Sequence, residues 1–298
     1  MGAMPDAASS PLSRRSLLAA ALAPVPGRDR LAAQVYIWMQ EMNKRGKPLA
    51  EGLDEIFAST RRAGFAQIEL DSSFFSPQLR DRTLALLKAN RMKCPVVYLG
   101  GVLHEEAAAE KVLAAARDLA PVVRPAGAWA INHNPSPKPR KAPKTDAELA
   151  VQARWLNRLG ETLKGLGLRF QVHHHDPEML ENAREWRHIL ANTDAGVVEL
   201  CVDTHWALRG GQSPLVIVRE AGARLASLHV RNSTRGVWSE SFGDGDIDYA
   251  PIAAELKASR RRPLIVVELA YEKETAITRG LEENLRQGRD YARRVFGV

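Results

Sequence analysis

Arg169-Phe170-Gln171-Val172-His173-His174-His175-Asp176 carries the fold in miniature. The alternation over Arg169–His173 fits a short strand whose side chains point by turns to opposite faces. The run ends in three histidines and an aspartate. Pro177–Leu190 then places apolar residues at helical spacing. Strand, polar strand end and amphipathic helix make one βα unit.

The same pattern recurs along the chain in both directions. Strands are predicted at Ala33–Trp38, Ala66–Leu70, Pro95–Leu99, Ala128–Asn132, Arg169–His173, Val197–Asp203, Leu225–Val230 and Leu264–Glu268. Their starts lie 28 to 41 residues apart, the length of a strand, a crossover helix and two loops. Helices fit between them at Leu49–Arg62, Ser76–Arg91, Glu105–Leu119, Asp146–Gly165, Pro177–Leu190, Pro214–Ala221 and Tyr249–Ser259, and Glu272–Val295 closes the chain. Two α/β architectures accept eight such units, a (β/α)8 barrel and a doubly wound open sheet. The open sheet turns on a glycine-rich phosphate loop after its first strand. Here that strand leads into Met39-Gln40-Glu41-Met42. The expectation is a single-domain (β/α)8 TIM barrel over 31–298, preceded by an arm over 1–30.

The composition agrees with a globular chain: 298 residues, 45% hydrophobic and 26% charged. Those proportions exclude a disordered chain, a collagen or a disulfide-stapled miniature. No apolar run approaches the ~18 residues of a membrane span, so no stable membrane association is expected. The net charge of +7 is concentrated in Pro135–Lys144 (PSPKPRKAPK) and Arg260–Arg262. Both read as solvated loops, with nucleic acid not expected as a partner. Cys94 and Cys201 lie in apolar strands and read as buried thiols.

Ser13-Arg14-Arg15-Ser16-Leu17-Leu18, followed by Ala-rich sequence to Val25, resembles a twin-arginine export signal, which implies a periplasmic protein. Pro24 and Pro26 interrupt a short apolar stretch, so the alternative is an N-terminal arm on a cytoplasmic protein.

In a barrel of this kind the chemistry sits at the C-terminal ends of the strands. The last four strands each offer one ligand there: His173, Asp203, His229 and Glu268. Two imidazoles and two carboxylates suit one divalent ion, Mn2+, Co2+, Zn2+ or Mg2+. A single such residue reads as a hydrogen-bonded rim group or a helix cap. Four on adjacent strands point to a metal, because buried carboxylates need a cation nearby. Arg231 shares a face with His229 and stands above that layer, and His175 shares a face with His173. Glu69 and Asn132 end strands two and four and are candidates for binding hydroxyls, or for bracing loops. Trp38 and Trp206 are candidates for an apolar wall, and His205 for a substrate contact. His104 reads as a helix-start residue and His188 as a surface one. Gly243-Asp244-Gly245-Asp246-Ile247-Asp248 reads as a tight turn with Asp248 capping a helix, not as a phosphate loop. No nucleotide cofactor is expected.

With these residues in place, the chain from about Ala33 onward resembles the xylose isomerase-like sugar phosphate isomerase/epimerase family. The similarity is strongest to the branch with His-Asn-His on strand five, here His173-His174-His175. Asp203-Thr204-His205-Trp206-Ala207-Leu208-Arg209-Gly210-Gly211, Leu228-His229-Val230-Arg231 and the Gly243–Asp248 stretch carry the rest. The resemblance implies a metal-dependent barrel acting on a small carbohydrate, and a homo-oligomer is possible. Family isomerases use a glutamate on strand five and one on strand eight as ligands and acid/base pair. Glu268 matches the second, but His173 stands in place of the first, and Asn232 replaces the usual aspartate after the strand-seven basic position. Proton abstraction beside the carbonyl of a keto-sugar or keto-polyol is the expected first step, with Glu268 or His173 as base and Arg231 steadying the developing charge. Isomerisation or epimerisation is expected first. The alternative is a lyase or dehydratase eliminating water or an aglycone from a 3-keto-glycoside or inosose-like substrate. A nuclease of the same fold ranks last, since strand three ends Tyr98-Leu99-Gly100-Gly101 without a further ligand.

Overall fold

Barrel strands are buried on both faces, one against the axis and one against helices. The residue types follow that division. The computed structural model describes residues 29–298. Its barrel strands are β1 (Leu31–Gln34), β2 (Ile68–Asp71), β3 (Val96–Gly101), β4 (Ala130–Pro135), β5 (Arg169–Val172), β6 (Glu199–Asp203), β7 (Leu225–Val230) and β10 (Leu264–Val267). These eight parallel strands close on themselves in the order β1-β10-β7-β6-β5-β4-β3-β2. A small hairpin, β8 (Ser233–Thr234) and β9 (Val237–Trp238), lies outside the barrel. The helices are α1 (Tyr36–Lys44), α2 (Leu49–Arg62), α3 (Arg80–Ala89), α4 (Glu106–Val123), α5 (Asp146–Gly165), α6 (Asp176–Asn192), α7 (Thr204–Arg209), α8 (Pro214–Ala221), α9 (Ala250–Ala258) and α10 (Leu281–Phe296). The twin-arginine stretch lies outside the described residues. Among those residues no helix is long and apolar enough to cross a membrane.

Most of the hydrophobic core lies between sheet and helices, where Phe57, Phe74, Phe170, Trp186 and Tyr249 are fully buried. The axis is filled differently. Its floor is small and apolar, with Ala32, Val96, Ala130, Leu264 and Val266 in one cluster. Helix α5 follows its sequence signals most closely: Thr145 and Glu148 form a reciprocal capping box, and the helix spans the expected residues.

Several expected boundaries move, each for a local reason. The first strand stops at Gln34, and Trp38 sits in α1 with its Nε1 donating to Thr60 Oγ1 at 3.2 Å. Trp38 therefore braces α2 and forms no part of an apolar wall. The helix expected from Ser76 begins at Arg80, because Asp71 caps a 3-10 turn over Ser72–Phe75 that buries Phe74 and Phe75. The last helix begins at Leu281 rather than Glu272. Glu272 instead pairs with Arg209 at 2.7 Å and accepts from Trp238 N at 2.8 Å, and Glu240 accepts from Thr278 N at 2.7 Å. The basic Pro135–Lys144 loop is largely exposed, as expected, except at its ends, Pro135 and Lys144, and three of its cations have acidic partners. Lys138 pairs with Glu148, Lys141 with Asp176, and the buried Lys144 with Glu185.

His133 lies fully buried on the helix side of β4, its ring 6.3 Å from that of Phe170. Burial pushes its pKa down to about 4. An unfolded histidine titrates near ~6.5. Between those values the unfolded chain binds a proton that the folded chain does not, so stability falls as pH drops through that window. Urea unfolding at pH 7 and 4.5 should show His133→Gln losing roughly 2–3 kcal/mol less than the parent. An equal loss in both proteins would contradict the buried neutral imidazole.

Candidate active site

Alternation along the strands stacks inward side chains in layers. Low in the barrel, Arg169 pairs with Glu199 at 2.6 Å and lies over the Trp129 ring. Above them Ser227 Oγ hydrogen-bonds Gln171 Oε1, and Cys201 faces inward beside them. At the rim the inward positions are His173, Asp203, His229 and Glu268. Ligand atoms from all four lie within 4.8 Å of one another.

Their partners are polar and buried. His229 Nδ1 lies 2.6 Å from Glu268 Oε2, and its Nε2 lies 3.1 Å from Glu69 Oε2. Arg231 donates to Asp203 Oδ2 at 2.7 Å and reaches Glu268 Oε1 at 3.1 Å. Asp203 Oδ1 accepts the backbone N–H groups of His205 and Trp206, both at 2.8 Å, and so caps α7. His173 Nδ1 lies 3.2 Å from Asn134 Oδ1, while its Nε2 is buried without a hydrogen-bond partner. Burial opposes ionisation of Glu268, but Arg231 and His229 outweigh it and hold the carboxyl down at about 2. Burial likewise opposes protonation of His229, and Cys201, Glu69 and Glu268 outweigh it, lifting this imidazole well above its ordinary range. That lift marks a surplus of negative charge.

The donor set fits a divalent cation. Three buried carboxylates gather here with one guanidinium among them: Arg231 pairs with Asp203 and Glu268, while Glu69 meets only His229 and Asn132. With His229 neutral, a doubly charged ion brings that group to electrical balance. The orphaned His173 Nε2 supplies a ready ligand atom, and mixed nitrogen and oxygen donors suit borderline ions.

Of the other expected contacts, some reach the mouth and others do not. His175 is half-buried at the rim, its ring 5.0 Å from those of both His173 and Trp206. Arg231 is flanked by two indoles, 5.2 Å from the Trp206 centroid and 4.6 Å from Trp238. Glu69 is fully buried, with Asn132 Nδ2 donating to its Oε1 at 3.4 Å. Through Glu69 Oε2 this pair meets His229, and neither residue is exposed. Both ring nitrogens of His205 meet protein partners. Its Nδ1 accepts from Trp238 Nε1 at 3.0 Å, leaving Nε2 to donate to Ser233 Oγ at 2.8 Å. Ser233 in turn donates to Asp246 at 2.7 Å. His205 thus anchors the β8–β9 hairpin and holds Trp238 over Arg231.

The Gly243–Asp248 stretch is a run of bends, and Tyr249 rather than Asp248 holds the N-cap position of α9, although Asp248 Oδ1 accepts from Ala250 N at 2.9 Å. Asn232 Nδ2 donates to the carbonyls of Gly243 and Ile247, and its Oδ1 accepts from Ile247 N. An aspartate could not donate there, which gives Asn232 a physical reason. A Cβ on Gly245 would meet Ser233 O at 2.2 Å.

A family model for the xylose isomerase-like TIM barrel matches residues 57–295. The chain belongs to this family. Within it, an inosose dehydratase from Geobacillus kaustophilus is 28% identical over 156 residues, which is 44% of this chain and 50% of that protein. The match thus spans about half the length of that curated relative. Among solved structures, D-allulose 3-epimerase from Methylomonas sp. superposes with TM-score 0.73 at 17% identity, covering 91% of this chain and 99% of that one. A 3-keto-D-glucoside 4-epimerase from E. coli gives TM-score 0.68 at 13% identity, covering 90% of this chain and 100% of that one. At such identities these two likenesses establish the barrel.

Sequence reasoning missed Trp238, Asn134 and Tyr98. Asn134 lies two residues beyond Asn132, so strand alternation extended by one step finds it. Tyr98 lies on the inward face of β3, its ring 5.6 Å from His173. Trp238 had no local signal, because a hairpin outside the barrel delivers it.

Proposed function

We propose that this chain is a carbohydrate enzyme that removes a proton beside the carbonyl of a keto-sugar or keto-polyol and then expels a β-oxygen, as a lyase or dehydratase. The observation that carries this reading is the rim set itself. Strand five contributes an imidazole where a second acid/base carboxylate would serve isomerisation. The inosose dehydratase relatives point the same way.

Glu268 is the base. Its residue is 8% exposed, against 0% for Glu69 and 1% for Asp203, so it is the carboxylate a substrate reaches. Bound by His173, Asp203, His229 and Glu268, a divalent ion would polarise the carbonyl and favour negative charge on its oxygen. Arg231, held between two indoles, faces that oxygen and stabilises its charge. Glu268 takes the α-proton, the C–H electrons form the new double bond, and the β C–O bond breaks. The proton that Glu268 has taken passes to the departing oxygen, while His175 at the rim stays neutral, because burial and the neighbouring His173 push its pKa down to about 3. Trp206 and Trp238 cover the mouth and limit water there.

The test is incubation of metal-supplemented protein with an inosose and a 3-keto-glucoside in D2O. The expected products are the dehydrated ketone and the free aglycone. Deuterium wash-in with an epimer or isomer, and no elimination, would favour the isomerase reading instead. No exchange and no product from either substrate would overturn both.

A further inference from the structure

Cys201 lies one inward position below Asp203 on β6 and is fully buried. Its Sγ and one ring nitrogen each from His173 and His229 all lie within 4.8 Å of one another. His173 is 1% exposed, and its Nε2 has no hydrogen-bond partner. Two imidazoles and a thiolate suit Zn2+, Co2+ or Cd2+, and suit Mn2+ or Mg2+ poorly. Bond lengths of about 2.0–2.1 Å to nitrogen and 2.3 Å to sulfur set ligand atoms roughly 3.5 Å apart, so closure takes small side-chain movements.

This triangle shares both histidines with the rim set and exchanges Asp203 and Glu268 for Cys201. Asp203 and Glu268 are the carboxylates that Arg231 bridges, at 2.7 and 3.1 Å. An ion among the rim four competes with Arg231 for them. An ion in the triangle leaves Arg231 in place.

We propose that His173, Cys201 and His229 form a second, deeper seat for a thiophilic divalent ion. The two seats exclude one another because they share both histidines. On binding, the Cys201 S–H bond breaks, its proton leaves to solvent and a metal–sulfur bond forms. The hard ions remain at the rim, and the barrel sorts ions by softness with one pair of imidazoles. The seat is independent of the reaction proposed above, and its readout does not involve turnover.

The experiment is Co2+ titration of the metal-free protein, followed by absorption. The expected result is a near-ultraviolet thiolate-to-cobalt charge-transfer band that saturates at one ion per chain. Cys201→Ser should abolish it. Cys94→Ser should keep it, because Cys94 Sγ donates to Val96 O at 3.2 Å and lies outside the triangle. Failure to bind Co2+, binding without the band, or a band that survives Cys201→Ser would each overturn the seat. Should Cys201→Ser fail to fold, cadmium-113 resonance of the unsubstituted protein decides. A strongly deshielded signal supports sulfur ligation, and a signal in the nitrogen/oxygen range refutes it. Exclusion is read by electron paramagnetic resonance: one equivalent of Zn2+ should release bound Mn2+, and retention of both ions would overturn the shared-histidine arrangement.

Discussion

Glu268→Gln is expected to lower turnover on a keto-sugar or keto-polyol by about 100-fold to 10,000-fold, the range for loss of a general base. The substitution keeps the shape and removes the charge. It also replaces an oxygen that faces His229 Nδ1 at 2.6 Å or Arg231 at 3.1 Å with a donor, so one hydrogen bond is lost with the carboxylate. Metal affinity should fall as well, since one of four ligands becomes neutral. The two effects separate by saturating the variant with Mn2+ and following deuterium exchange at the α-carbon. Recovery of exchange at high Mn2+ would leave Glu268 as a ligand only. Exchange that stays slow in the fully loaded variant supports the base. Turnover within about threefold of the parent at every metal concentration would remove Glu268 from the mechanism.

How much of this is legible in the sequence depends on the range of the interactions. Strand-end residues follow from period-two alternation, which is local. His173, Asp203, His229 and Glu268 therefore stand out in the chain itself, and the fold gathers them within 4.8 Å. The barrel is legible for the same reason, because each βα unit repeats its own short pattern. What the sequence conceals depends on distant partners. The reach of Trp238 over Arg231 rests on His205, Ser233 and Asp246, which three different segments supply. The start of α10 moves because Glu240 and Glu272 tie the preceding loop to the hairpin. The expectation for Lys144 fails for a related reason. A charge run in a Pro-rich loop looks solvated unless the acids of α5 and α6 are known to lie beneath it.

Lys144 accordingly gives the largest stability prediction. Its residue is 3% exposed, and its Nζ lies 2.6 Å from Glu185 Oε1, which also accepts from Gln152 Nε2 at 2.8 Å. Nearby Glu178 is fully buried; burial and the Glu185 charge push its pKa up to about 8, so it stays protonated at neutral pH. Lys144 is therefore the one cation paired with the Glu185 carboxylate among the described residues. Lys144→Met keeps the apolar stem and strands that charge, a change that costs roughly 3–5 kcal/mol for a buried pair. At roughly 2–4 °C per kcal/mol for a domain near this size, Tm should fall by about 6–20 °C. Lys144→Met with Glu185→Leu removes both partners, and most of the loss should return, because a well-packed apolar pair often matches a buried ion pair. Differential scanning calorimetry of the two single variants and the double variant reads this directly. A Lys144→Met loss below about 1 kcal/mol would place the pair in solvent. A double variant no better than the worse single one would mean that Lys144 and Glu185 act through separate partners, and that the loop is held by packing rather than by charge.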